Sequence, residues 1–168
     1  MTATVLIAYA SREGATVGIA RTLAAALDEH GLHTRVTAAA DVQDLHGCDA
    51  VVLGSALYAG RWLKDARTFA RIHRRALAEL PLWLFSSGPL DDSATTRSIP
   101  PVAGVARTAR RLRARGHITI GGALQAGATG RMARMLLAQG RGGDFRDPEQ
   151  IRTFATRIAG ALSPATHP

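Results

Sequence analysis

With 168 residues and a formal net charge of +8, the chain is long enough to bury a core as one domain spanning 1–168. No apolar run approaches the ~20 residues that cross a bilayer as a helix. The N-terminus lacks the charged-then-apolar order of a secretion signal, and the lone Cys48 has no internal disulfide partner, so the expected compartment is cytoplasmic. Lys64 is the only lysine, and Arg107, Arg110, Arg111, Arg113 and Arg115 crowd one short span. Such a patch is either a solvated helix face or a weak contact with anionic lipid, peripheral at the inner membrane face. Without a nucleic-acid-binding motif or interleaved aromatics for base stacking, no nucleic acid partner is expected.

The first predicted strand is Val5–Ala10 (VLIAYA), apolar enough to be buried on both faces. Six residues rich in hydroxyls and centred on a glycine, Ser11–Thr16, separate it from a helix whose apolar face is Ala20, Leu23, Ala24 and Leu27. That helix should end near His30–Gly31, with Gly31 as a left-handed cap. His33–Ala38 alternates weakly and reads as a strand nearer the sheet edge, and Asp41–Leu45 as a turn of helix. Ala50–Ser55 and Leu82–Phe85 are further buried strands. Between them Ala66, Phe69, Ala70, His73 and Leu77 mark one face of a helix. Asp91–Pro101 is a polar loop leading to an arginine-rich helix, Val102–Arg115, with Pro101 suited to its first turn.

His117–Ala123 is the last predicted strand. Asp147, Pro148 and Gln150 announce the last helix as N-cap, N1 and N3, with Ile151, Phe154, Ala155, Ile158 and Leu162 as its stripe. Ser163–Pro168 reads as a frayed tail. Five alternations of strand and helix imply a parallel sheet covered on both faces, order 2-1-3-4-5. Gln125–Arg146 exceeds the usual connection of ~2–6 residues. Met132, Met135 and Leu136 give it a short helical pattern, expected to pack on the sheet edge. A flap beside a ligand or an amphipathic membrane patch is the alternative.

Ligands in such sheets bind beyond the carboxyl ends of the strands. Ser11, Arg12, Glu13, Gly14, Ala15 and Thr16 follow the first strand, where helix N–H groups, two hydroxyls and a glycine can cradle a phosphate. An ordinary strand-to-helix turn has the same composition. There is no G-x-x-x-x-G-K-S/T and no G-x-G-x-x-G, which argues against triphosphate and dinucleotide cradles of those kinds. Ser55, Ala56, Leu57, Tyr58, Ala59, Gly60 and Trp62 follow the third strand. Tyr58 and Trp62 stand there either as stacking rings or as packing aromatics. Ser86, Ser87, Gly88, Pro89 and Leu90 form another small, polar turn. Metal-ligand spacing and a G-x-S-x-G elbow are absent, Cys48 reads as a small core hydrophobe, and no catalytic residue stands out.

The S-x-E-G-x-T loop resembles the hydroxyl-rich loop by which flavodoxins hold the FMN phosphate. With SREGATVGIA, VVLGSALYAGRWLKDARTFA and GGAL–insertion–GGDFRDPEQIRTFA, the chain resembles, over nearly its whole length, the flavodoxin-like family that includes the FMN-dependent, quinone-coupled protoporphyrinogen oxidase of bacteria. The resemblance implies a flavodoxin-like three-layer α/β sandwich with the insertion at 125–146, FMN as cofactor and an oxidoreductase with a quinone or other small redox partner. Three departures matter. The insertion is short and contains neither tyrosine nor tryptophan, Glu13 puts a carboxylate in the phosphate loop, and SSGPLDD differs from the oxidase. FMN binding therefore transfers better than porphyrin oxidation. A flavodoxin-type electron carrier and a flavodoxin-fold protein that has lost flavin and acts through interactions are the competing readings, and strong positive charge opposes the carrier.

Overall fold

The computed structural model describes residues 2–12, 14–124, 128 and 130–163. Glu13, Gln125 and the tail from 164 to 168 lie outside the described residues, as does the Met132 side chain.

Strands β1 (Thr4–Ala10), β2 (His33–Ala38), β3 (Ala50–Tyr58), β5 (Leu82–Ser87) and β6 (Gly116–Ile120) form a parallel sheet in the order β2-β1-β3-β5-β6. A short β4 (Arg61–Trp62) folds back antiparallel on β3. Leaving out β4, this is the expected 2-1-3-4-5 order. Ile7 pairs with Val36 on one side and Val52 on the other, fixing β1 between β2 and β3. Because alternate residues point to opposite faces, the apolar strands feed two cores. Val5, Ile7, Val52, Trp83 and Phe85 pack against α1 (Ala15–Glu29) and α7 (Pro148–Leu162). Leu6, Val51, Leu53, Leu82 and Leu84 pack against α2 (Lys64–Ile72), α3 (Arg74–Glu79) and α5 (Ala103–Leu112).

Local signals explain the helix ends. At the end of α1, Gly31 takes φ +83° while its N–H donates to the Asp28 carbonyl and the Leu32 N–H to that of Leu27, a Schellman pair. Asp147 caps α7, its Oδ1 accepting from the Glu149 N–H at 3.0 Å with Pro148 just inside. Gly54 has no room for a side chain, since a Cβ there would overlap the Phe85 ring on the neighbouring strand.

Several boundaries differ from expectation. The helical turn before β3 is a 3-10 turn at Ala39–Asp41 rather than Asp41–Leu45. The helix expected across Ala66–Leu77 breaks at His73 into α2 and α3 (φ −95°, ψ 16°), yet Ala66, Phe69, Ala70 and Leu77 are buried as read. Residues 91–101 contain a single helical turn, α4 (Ser93–Thr96). Val102 rather than Pro101 caps α5, so the proline precedes the helix. The last expected strand divides: β6 stops at Ile120, and β7 (Ala123–Leu124) pairs antiparallel with β8 (Gly143–Asp144). That ribbon pins the two ends of the insertion, and the Phe145 N–H donates to the Gly122 carbonyl at 2.9 Å. Between them runs α6 (Arg131–Ala138). Ala133 is its buried contact and Leu137 is half-buried; of the expected stripe Leu136 is half-buried, while Met135 is 51% exposed.

Candidate functional site

The carboxyl ends of β1, β3 and β5 meet in one cleft of about 130 Å3. β1 delivers Ser11 and Arg12, and α1 begins at once with Ala15 and Thr16. Gly14, at φ +88°, occupies the N-cap of α1, where no side chain caps the helix and no acidic residue stands in the first turn. The Gly14 N–H donates to Ser11 Oγ at 3.1 Å, which shapes the loop around the helix N-terminus. Thr16 is 1% exposed, and among the described residues its Oγ1 is one of two buried side-chain polar atoms without a hydrogen-bond partner, the other being Gln150 Oε1. A buried orphan hydroxyl costs about 1–3 kcal/mol, so its location at an uncapped, positively polarised helix end marks a place for an anionic acceptor. The described residues of this loop, Ser11, Gly14 and Thr16, therefore fit a phosphate monoester.

β3 supplies Ala56, Leu57, Tyr58 and Ala59, and β5 supplies Ser87, Gly88 and Leu90. Ala59 (φ 50°) and Gly60 (φ 73°) make the tight turn between Tyr58 and Arg61. Positive φ at both centres matches the twist of a two-residue hairpin. The Arg12 guanidinium stacks over the Tyr58 ring, 4.9 Å from its centroid, and joins two walls of the cleft. The turn after β5 is tied to the end of β6: the Gly88 N–H donates to Ile120 and the Gly122 N–H to Pro89.

Of the residues expected at the site, Ser11, Arg12, Ala15, Thr16, Ala56, Leu57, Tyr58, Ala59, Ser87, Gly88 and Leu90 are brought together. Gly14, Gly60 and Pro89 shape the turns without lining the cleft, and Glu13 lies outside the described residues. Ser55, Trp62 and Ser86 are corrections to the expectation of direct contact. Ser55 is fully buried, its Oγ donating to the Ala56 carbonyl and accepting from the Leu63 N–H. Trp62 is 3% exposed, and its indole N–H donates to Ser86 Oγ at 2.9 Å, so the ring packs in the core instead of offering a stacking face. Ser86 in turn lies 2.9 Å from His117 Nε2. Burial pushes the His117 imidazole down to about 4, leaving a neutral ring able to accept the serine proton.

Gly122, Ala123, Leu124, Ala133 and Leu136 also line the cleft and were missed. The first three sit where the expected strand breaks. The last two belong to α6, whose side-chain direction no sequence period specifies. With these five among its lining the cleft holds about 130 Å3, so the fit to a phosphate is closer than the fit to a flat tricyclic ring. Among the described residues, no cluster of His, Cys, Asp and Glu could hold a metal, and no helix is long and apolar enough to cross a membrane. Burial raises the Cys48 thiol above its ordinary range, with Arg35 as an opposing influence, in keeping with a core role.

Among solved structures, rubredoxin oxygen:oxidoreductase of Desulfovibrio gigas superimposes with a TM-score of 0.64 at 17% identity, covering 95% of this chain but 36% of that one. A flavodiiron core from Synechocystis gives 0.62 at 14% identity, over 96% of this chain and 37% of that one. The chain thus spans little more than a third of either. Flavodoxin 2 of Bacillus cereus, covered over its full 100%, gives 0.60 at 20% identity over 95% of this chain. These likenesses establish the fold. No curated protein matches significantly. The sequence model of the flavodoxin domain matches residues 6–139, the span that runs from within β1 through the rest of the parallel sheet to the end of α6. The chain belongs to the flavodoxin domain family.

Proposed function

We propose that the chain binds FMN at the ends of β1, β3 and β5 and acts as a flavin-dependent oxidoreductase. The carrying observation is the orphaned Thr16 hydroxyl, buried at an uncapped helix N-terminus that opens on the cleft. Thr16, Ser11 and the first amides of α1 would hold the phosphate. Tyr58, Leu57 and the backbone of Ser87–Gly88 would face the ring. Bound FMN supplies hydride or electron transfer between two partners. The protein's own residues orient it, withhold water and hold the surrounding turns fixed through Ser55, Trp62 and Ser86.

The electron acceptor we propose is a quinone, supported by the apolar wall of Leu57, Leu90, Leu124 and Leu136 and by the family resemblance. A protoporphyrinogen-oxidase-like substrate rests on that resemblance alone. Peripheral membrane contact forms no part of this proposal: of the five clustered arginines that suggested it, Arg107 and Arg111 line a recess instead of a flat face. The reading in which flavin has been lost draws on Glu13 in the phosphate loop and on the narrow cleft. Purification decides between them: a yellow protein with flavin absorbance is expected, whereas a colourless one that ignores added FMN would overturn the proposal. Anaerobic turnover with quinones then separates an enzyme from a carrier.

A further inference from the structure

A second recess, with a volume of about 710 Å3, lies away from the cleft, between α2–α3 and the start of α5. Its size falls within the ~300–1,000 Å3 of small-molecule sites. One wall carries Lys64, Arg67, Arg71 and Arg74, with Arg61 at the hairpin end, and the facing wall carries Arg107 and Arg111. No carboxylate lines it, and the two ion pairs among the described residues, Arg146–Asp144 and Arg152–Glu149, lie elsewhere. Arg67 Nε is held by the Trp62 carbonyl at 3.2 Å. Like charges four residues apart on a helix destabilise it, and two such rows face each other here. Low-dielectric walls of one sign concentrate that field in the recess.

A second feature points the same way. Val102, Ala103, Gly104 and Val105 place the N-terminus of the ten-residue α5 in the recess, with no side-chain cap and no acidic residue in its first turn. Free amides and the positive helix end favour a phosphate. The floor is apolar, formed by Ala70, Val105 and Leu112. Trp62 is the one aromatic lining residue, and at 3% exposure it leaves no ring face for stacking an unpaired base.

We propose that this recess binds a small organic molecule carrying adjacent phosphate groups, of the nucleoside di- or triphosphate class. The cationic walls and the α5 amides take the phosphates, and the apolar floor takes the organic part. The site is independent of flavin binding and of the reading given above.

Calorimetry on the full chain at ~0.15 M salt, where diffuse charge effects are damped, tests it. ATP and inorganic tripolyphosphate should bind one per chain and compete, with AMP weaker by about tenfold or more. Arg107→Glu should weaken ATP by at least about tenfold and Arg107→Ala by less, in the same direction. Arg21→Glu, the same charge change on the exposed face of α1, should leave binding unaltered. Equal loss in Arg21→Glu would show net charge alone at work. Loss through Thr16→Val but not Arg107→Glu would move the anion to α1. Tighter binding of duplex DNA or of phosphatidylglycerol vesicles, sensitive to Arg107→Glu, would make the recess a macromolecular or lipid surface. Each of these three results overturns the proposal.

Discussion

The indole N–H of Trp62 donates to the Ser86 hydroxyl at 2.9 Å, joining the β4 hairpin to the carboxyl end of β5. A tryptophan that looks in sequence like a stacking partner is instead a brace. Trp62→Phe keeps most of the apolar surface and removes the donor, so it should cost about 1–3 kcal/mol of stability. FMN affinity should change by less than about threefold, because no stacking face is lost. Urea unfolding and flavin titration of the same variant check both halves.

The same chain of hydrogen bonds ends at His117, whose imidazole titrates near 4 in the fold against an ordinary 6.5. At pH values above 6.5 both folded and unfolded chains hold it neutral. As pH falls from 6.5 towards 4, the unfolded chain gains a proton that the folded chain refuses, so stability is lost across that window and levels off below it. Allowing for the partial exposure of the ring, the loss is about 2–3 kcal/mol. Unfolding midpoints of wild type and His117→Gln across this range should converge as pH falls.

Sequence periods reached most of the frame. Continuous apolar runs placed the three strands that begin at Thr4, Ala50 and Leu82, and glycine and aspartate chemistry placed the C-terminal end of α1 and the start of α7. Burial on both faces leaves a run uniformly apolar, so the pattern cannot say where β3 stops, and it continues to Tyr58. The orientation of Trp62 depends on a two-residue hairpin that turns it inward, a contact set by Ser86, distant in sequence. The α6 wall of the cleft was illegible for the same reason: β7–β8 pairing, which aims Ala133 and Leu136, joins residues separated by the whole insertion.

Gly54 faces the Phe85 ring with no space for a methyl group. Gly54→Ala should cost about 3 kcal/mol or more through forced displacement of a fully buried aromatic. Adding Phe85→Leu should recover part of that loss, giving a coupling of at least about 1 kcal/mol in a double-mutant cycle.

Ala59 adopts φ 50° at the first centre of the hairpin turn, a conformation that asparagine tolerates better than alanine. Ala59→Asn should therefore raise stability by roughly 0.5 kcal/mol. The check is a rise in thermal midpoint without a change in the cleft's ligand preference.

The central claim concerns the Thr16 hydroxyl and the anion that completes it. Apoprotein should be titrated with FMN and with riboflavin, following flavin fluorescence, in wild type and Thr16→Val. Binding of one FMN, riboflavin at least about tenfold weaker, and a loss of about tenfold in FMN affinity confined to the variant are the expected results. Equal affinity for FMN and riboflavin, or an unchanged FMN affinity in Thr16→Val, would contradict a phosphate seated at the start of α1.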